Sequence, residues 1–138
     1  MKDSKILIAA DHAGFALKKI LIEALNYKVV DLGCHINDSV DYPDYAQALC
    51  KKMGNNDRGI LICGSGIGMS MAANRFKHIR AALCTNVYMA KMAREHNDAN
   101  VLVLGARIID EETALACLNE FLLTEFKGEK HKIRVDKL

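Results

Sequence analysis

Three glycines at alternate positions behind a short apolar run constrain this chain more than any other feature: Gly59-Ile60-Leu61-Ile62-Cys63-Gly64-Ser65-Gly66-Ile67-Gly68. Ile60 to Ile62 is mostly β-branched and carries no polar residue, the pattern of a buried parallel strand. Met69-Ser70-Met71-Ala72-Ala73, ahead of Asn74 and Arg75, has helix-forming composition. Strand, glycine turn and helix start in succession point several backbone N–H groups into one space, at the positive end of a helix dipole. An anion would be stabilised there. A thiol at the mouth, here Cys63, would have its pKa lowered from about 8.5 and be available as a base or nucleophile. The alternative is that Cys63 is a small buried hydrophobe ending a strand.

Other glycine-loop chemistries are excluded by spacing. A dinucleotide fingerprint needs glycines at 64, 66 and 69, but residue 69 is Met and the loop follows the third strand, not the first. A Walker loop needs Lys where Ser65 stands, and a cysteine-phosphatase loop needs an arginine before Arg75.

At 138 residues the chain reads as one domain, 1–138, able to bury a core without metals or disulfides. A formal charge of +2 gives no nucleic-acid footprint. The apolar run Ile6 to Ala10 meets Asp11 and is too short for a signal peptide or membrane span. Five cysteines, an odd number with no CxxC pair, fit reduced thiols in a cytoplasm. Cys34, Cys50, Cys84 and Cys117 read as packing residues.

In chain order, Lys5 to Ala10 reads as strand one, and Asp11-His12-Ala13-Gly14 as the turn before a helix over Phe15 to Leu25. Tyr27 to Leu32 is strand two. The polar segment Cys34 to Asp44 holds the one proline, Pro43, and a helix follows from Asp44 to Met53. Strand three ends at Cys63; Arg80 to Cys84 and Val101 to Leu104 are strands four and five. Tyr88 to Glu95 and Glu111 to Phe126 are helices. Alternation at this spacing predicts a three-layer α/β/α sandwich, Rossmann-like, on a five-stranded parallel sheet.

Ligands of such sheets sit beyond the carboxyl ends of the strands. Just past those ends stand Asp11-His12, Gly33, Cys63 with its loop, Thr85-Asn86 and Gly105-Ala106-Arg107. Carboxylate, imidazole, thiol and guanidinium would converge on one rim. Each has a plain alternative: Asp11 a helix cap, His12 and Arg107 surface residues, His96-Asn97-Asp98 a helix C-cap. The basic tail from Lys127 to Leu138 is by default solvated and frayed. Against that, Lys130, His131 and Arg134 fall at i, i+1 and i+4 and would face one way on a helical turn, a set that suits a phosphate dianion.

Asp11-His12-Ala13-Gly14, Asp41-Tyr42-Pro43, Cys63-Gly64-Ser65-Gly66-Ile67-Gly68, Ala72-Ala73-Asn74-Arg75, His96-Asn97-Asp98, Gly105-Ala106-Arg107 and Gly128-x-Lys130-His131-x-x-Arg134-Val135 together resemble the B-type ribose-5-phosphate isomerases. The blocks run in family order over essentially the whole chain. The resemblance implies interconversion of D-ribose 5-phosphate and D-ribulose 5-phosphate through an enediolate, in the non-oxidative pentose phosphate pathway, with no metal and no organic cofactor. Cys63 with Met69 is similar to the thiol branch; another branch has glutamate in place of Met69. By that likeness Cys63 is the base moving a proton between C1 and C2. Asp11 shuttles protons between the sugar oxygens, His96 opens the furanose ring, and Ser65 joins the catalytic group. His12, Arg107, His131 and Arg134 hold the phosphate, with Tyr42, Gly64, Gly66, Ile67, Gly68, Asn97 and Lys130 as further substrate contacts. Lys130 stands where many members have arginine, giving a point charge in place of a bidentate fork. The likeness also implies a homodimer or dimer of dimers with sites shared between subunits, and no membrane partner. Two other functions compete: a hexose-6-phosphate isomerase of the same family, for allose or galactose 6-phosphate, and a sugar-phosphate-binding module without chemistry.

Overall fold

The computed structural model describes residues 4–138. Three apolar runs form the centre of one parallel sheet: β1 (Ile6–Ala10), β3 (Arg58–Cys63) and β5 (Val101–Gly105). The shorter β2 (Val29–Asp31) and β4 (Ala81–Leu83) are its edges, in the order β2-β1-β3-β5-β4. Both edges are shorter than the spans expected from sequence, 27–32 and 80–84, although Leu32, Gly33 and Cys34 go on hydrogen-bonding to β1 beyond β2. The free side of β4 is covered by a side chain. Asn74 Nδ2 donates to the Ala81 carbonyl at 2.9 Å, and its Oδ1 accepts the Ala81 N–H at 2.8 Å. The amide thereby stands in for a missing strand.

Period-two alternation divides the strand side chains between two cores. Ile8, Ala10, Ile60, Ile62, Leu102 and Leu104 pack on α1 (Phe15–Ala24), α4 (Val87–Glu95) and α5 (Glu111–Leu123). Leu7, Ala9, Leu61, Cys63, Val101 and Val103 pack on α2 (Tyr42–Lys52) and α3 (Ile67–Ala73). The result is the three-layer sandwich that the alternating elements predict. Among the described residues no helix is long and apolar enough to cross a membrane.

Several helix boundaries differ from expectation, most by one residue. α2 begins at Tyr42, ahead of Asp44, and Pro43 sits in its first turn, where a missing N–H leaves no hydrogen bond unmade. α5 ends at Leu123, before Phe126. The tail is not frayed: Gly128 (φ 71°) and Glu129 (φ 55°) turn the chain into a short helix, α6 (Lys130–Val135).

The strand order has a direct consequence. β2 lies to one side of β1 while β3, β5 and β4 lie to the other, so a crevice opens where β1 meets β3. Ala10 is in register with Ile62, and the Asp11 N–H donates to the Ile62 carbonyl at 3.1 Å. Asp11 and Cys63 therefore leave the sheet side by side.

Candidate active site

Asp11, Tyr42, Cys63, Gly64, Ser65, Ile67, Gly68 and Arg107 line a cleft of about 590 Å³ at the carboxyl rim. Met71 and Ile108 complete its walls, and the sequence reading passed over both. Met71 is one helical turn beyond Ile67, and Ile108 follows Arg107; that spacing was the available signal.

The glycines make the site by what they leave empty. Gly66 adopts φ 82°, a left-handed conformation that bends the chain from β3 into α3. A Cβ at residue 64 would meet Arg107 Nη1 at 2.8 Å, so Gly64 is what lets the guanidinium lie across the loop. A Cβ at residue 68 would fall 2.5 Å from Tyr42 Cζ; Gly68 seats that ring the same way.

Two of the loop's N–H groups close on side chains of their own turn, which narrows the several that the sequence reading points into one space. Gly66 N–H donates to Cys63 Sγ at 3.2 Å, and Ile67 N–H to Ser65 Oγ at 3.1 Å. Among the described residues, the Gly64 and Ser65 N–H groups have no partner within the chain. α3 behind the loop has seven residues, two turns, so individual N–H groups and not a long macrodipole carry its capacity for an anion. Cys63 lies on the floor of the cleft, 5% exposed, and not at its mouth.

Asp11 is a turn-capping residue and a cleft residue at once. Its Oδ1 accepts the Ala13 and Gly14 N–H groups at 2.9 and 3.1 Å. Oδ2 has no partner among the described residues, and no buried side-chain oxygen is left unbonded, so that oxygen opens to solvent in the cleft. One oxygen is fixed and the other is free. His12 borders an adjoining groove with Phe15 and Lys19. Its Nδ1 accepts the Val40 N–H at 3.2 Å, which leaves the ring proton on Nε2. Asn86, on the same rim, is occupied as the cap of α4, accepting from Met89 N–H at 2.9 Å.

The remaining candidates are elsewhere. α4 descends from the carboxyl end of β4 to the amino end of β5, so His96, which caps it, and Asn97 lie at the opposite end of the sheet. Arg80, at the start of β4, bonds the Asp98 carbonyl there at 2.7 Å. The five residues of β5 put about 16 Å between the two ends at about 3.3 Å per residue. α6 joins the lower group: the His131 ring stacks on His96 with centroids 4.0 Å apart. Partial burial, then His96, Lys130, Arg134 and Lys127, hold the His131 pKa below its ordinary value. Asn97 lines a separate cleft of about 570 Å³ with Arg75, Arg80 and Val135. That cleft matches the upper one in size but contains neither Asp11 nor Cys63. Of the expected site, one chain assembles only the upper half.

All five cysteines are unpaired and buried. Burial raises the pKa of Cys50 to about 11 and of Cys84 to about 12, and raises Cys34 and Cys117 as well, in keeping with packing roles.

A family model described as Ribose/Galactose Isomerase matches residues 6–138. Ribose-5-phosphate isomerase B of Escherichia coli is 40% identical, over 97% of this chain and 93% of its own. The structure of Clostridium thermocellum ribose-5-phosphate isomerase B superimposes with a TM-score of 0.93 at 49% identity, covering 96% of this chain and 93% of that one. Mycoplasma genitalium ribose-5-phosphate isomerase B with bound ribulose 5-phosphate gives a TM-score of 0.94 at 40% identity, covering 99% and 95%.

Proposed function

The chain belongs to the ribose/galactose isomerase family, and on that premise we propose that it interconverts D-ribose 5-phosphate and D-ribulose 5-phosphate through an enediolate. The observation that carries this reading is the adjacency of Asp11 and Cys63 under the glycine loop, a carboxylate and a thiol at the junction of β1 and β3. Isomerisation requires a proton to leave one carbon and return to its neighbour, while a second proton crosses between their oxygens. In this reading Cys63 Sγ moves the first and the free Oδ2 of Asp11 the second. Negative charge develops on oxygen as the carbon is deprotonated. The unpaired N–H groups of Gly64 and Ser65 are fixed donors for it, each worth roughly 3 kcal/mol of barrier. Ser65 Oγ, already accepting from Ile67, has its own hydrogen left to give.

The pentose reading over the hexose one draws on the relatives named as ribose-5-phosphate isomerases, one of them with ribulose 5-phosphate bound. His12 Nε2 and Arg107 provide donors for phosphate on the rim, and Tyr42 flanks the loop. His96, Asn97, Lys130, His131 and Arg134 serve the cleft of a second copy, in a homodimer or larger assembly. Two features support this. Those residues are at the wrong end of their own sheet, and exposed apolar side chains surround both ends, Ile67, Met71, Tyr88 and Ile108 above, Ile133 and Leu138 below. His96 would then assist ring opening, and the cations of α6 would close on the phosphate. Five unpaired thiols support a cytoplasmic setting.

Ribulose 5-phosphate should appear when the protein is incubated with ribose 5-phosphate. Solvent deuterium should enter the sugar even if turnover is slow. A protein that binds the sugar but neither converts it nor exchanges its protons is a binding module, and the isomerase reading falls.

A further inference from the structure

The turn that carries His96 and Asn97 is held by an arrangement larger than a helix end needs. Asp98, the next residue, has φ 49°, a conformation that glycine takes at least cost. Yet the position carries a carboxylate, gripped from two sides. Arg94 Nη1 donates to Asp98 Oδ1 at 3.1 Å and to the Ala99 carbonyl at 2.6 Å, while its Nε reaches the Thr124 carbonyl at 3.0 Å. Arg80 Nε donates to the Asp98 carbonyl at 2.7 Å and its Nη2 to Oδ2 at 3.3 Å. Arg94 is 3% exposed, so the grip is anchored inside the molecule, between the ends of α4 and α5. Every polar atom of the Asp98 side chain is thus tied to a different element of the fold, one to α4 and one to the start of β4. Between these ties lie Glu95, paired with Lys127 at 3.3 Å, half-buried His96 with its ring on His131, and exposed Asn97.

We propose that Arg80, Arg94 and Asp98 are positioning residues for His96 and Asn97, fixing the angle at which one chain presents its imidazole to the cleft of a second. The proposal rests on the shared-site reading above. A shift of about 1 Å in a reacting group costs up to a hundredfold in rate, so a clamp of this kind is worth a left-handed residue. A purely structural role would make the same contacts but act only on the amount of folded enzyme.

The test separates the two by comparing rates measured on the same sample. Ribulose 5-phosphate cannot form a furanose, because its C5 oxygen is phosphorylated. Its exchange of C1 hydrogen with solvent deuterium therefore needs the base but no ring opening. Net conversion of ribose 5-phosphate needs both. The ratio of exchange to conversion does not depend on how much protein is folded. In Asp98→Ala conversion should fall about tenfold to a hundredfold with exchange nearly retained, raising the ratio about tenfold or more. Removing the carboxylate leaves Arg58, Arg80 and Arg94 facing one another, and burial and the latter two already lower the Arg58 pKa. Arg80→Lys is therefore the gentler companion, keeping the charge but losing the two-pronged grip, with a ratio raised about threefold. His96→Ala is the reference. A raised ratio in His96→Ala with unchanged ratios in both clamp variants overturns the clamp alone. An unchanged ratio in His96→Ala overturns the ring-opening role of His96 and the clamp with it.

Discussion

At the carboxyl rim, Asp11, Cys63 and Arg107 line a cleft whose loop and side chains hold one another in place; at the amino end, His96, His131, Lys130 and Arg134 stand on a turn and a six-residue helix none of whose residues is buried. The first region is concave, with its thiol on the floor and its carboxylate half-occupied by backbone donors. The second is cationic and carries neither a thiol nor a cleft carboxylate. Acid–base chemistry needs a pocket that excludes water, whereas a phosphate clamp needs charges that can be brought up from outside. On the proposed shared-site reading, the first end is a receptor and the second the piece that would complete it. In a two-fold pair each chain would provide both.

The largest expected effect belongs to the rim. Cys63→Ala should lower kcat by at least about 10²–10⁴-fold, the usual contribution of a placed base, and Cys63→Ser should do little better because a hydroxyl holds its proton too tightly. A Cys63→Ala enzyme with near-normal kcat would remove the thiol from the reaction.

Next comes the joining of the two ends. Refolding Cys63→Ala and His96→Ala together gives mixed dimers in about half the population, each with one site carrying both lesions and one carrying none. Activity should return from near zero to about a quarter of wild type. If mass spectrometry shows mixed dimers and the sample stays inactive, the two regions do not meet across an interface.

Arg134→Ala should raise KM about tenfold or more with a smaller change in kcat, since a charged hydrogen bond to phosphate persists from ground state to transition state. Unchanged KM and unchanged inhibition by phosphate would reduce α6 to a surface ornament. Lys130→Arg should be tolerated within about threefold, because a guanidinium can replace the ammonium there.

The smallest effect is a titration. The free protein holds His131 below the ordinary histidine value, through partial burial and its cationic neighbours. Protonation of this ring is therefore disfavoured by folding, so stability falls as pH drops from the ordinary value of about 6.5 through the lower folded one. A bound phosphate dianion reverses the balance, so the NMR midpoint of His131 should move up when inorganic phosphate saturates the protein. A midpoint indifferent to phosphate would detach His131 from the anion.

Much of the site was readable because it is local. A β-branched run, a cysteine and three spaced glycines are contiguous, and their meaning depends on backbone rules that hold within ten residues. The same holds for the alternation of strands and helices, which sets the layers. Lys130, His131 and Arg134 were legible as one face of a turn, but whether that turn forms was not, because it depends on Gly128 and Glu129 reversing the chain and on His131 finding His96. The rim itself was read more coarsely at the loop. Several of its N–H groups are expected to face one space, and two of the loop's close on Sγ and Oγ of their own turn.

What sequence alone determined is the inventory: a parallel α/β chain with a thiol beside a glycine loop, and carboxylate, imidazole and guanidinium groups at strand ends. Tertiary structure decided which of these are neighbours. Nothing in the residues of β1 and β3 states that they pair, yet the order β2-β1-β3 is what sets Asp11 against Cys63. Likewise His96 reads as the close of a helix, but which end of the sheet that helix reaches is not in the local sequence. In a sheet whose strands all run one way, helices return to the other end, and so the imidazole is carried away from the thiol within one chain. Pairing and direction are long-range properties, set by which faces bury together, and no local pattern of residues encodes them.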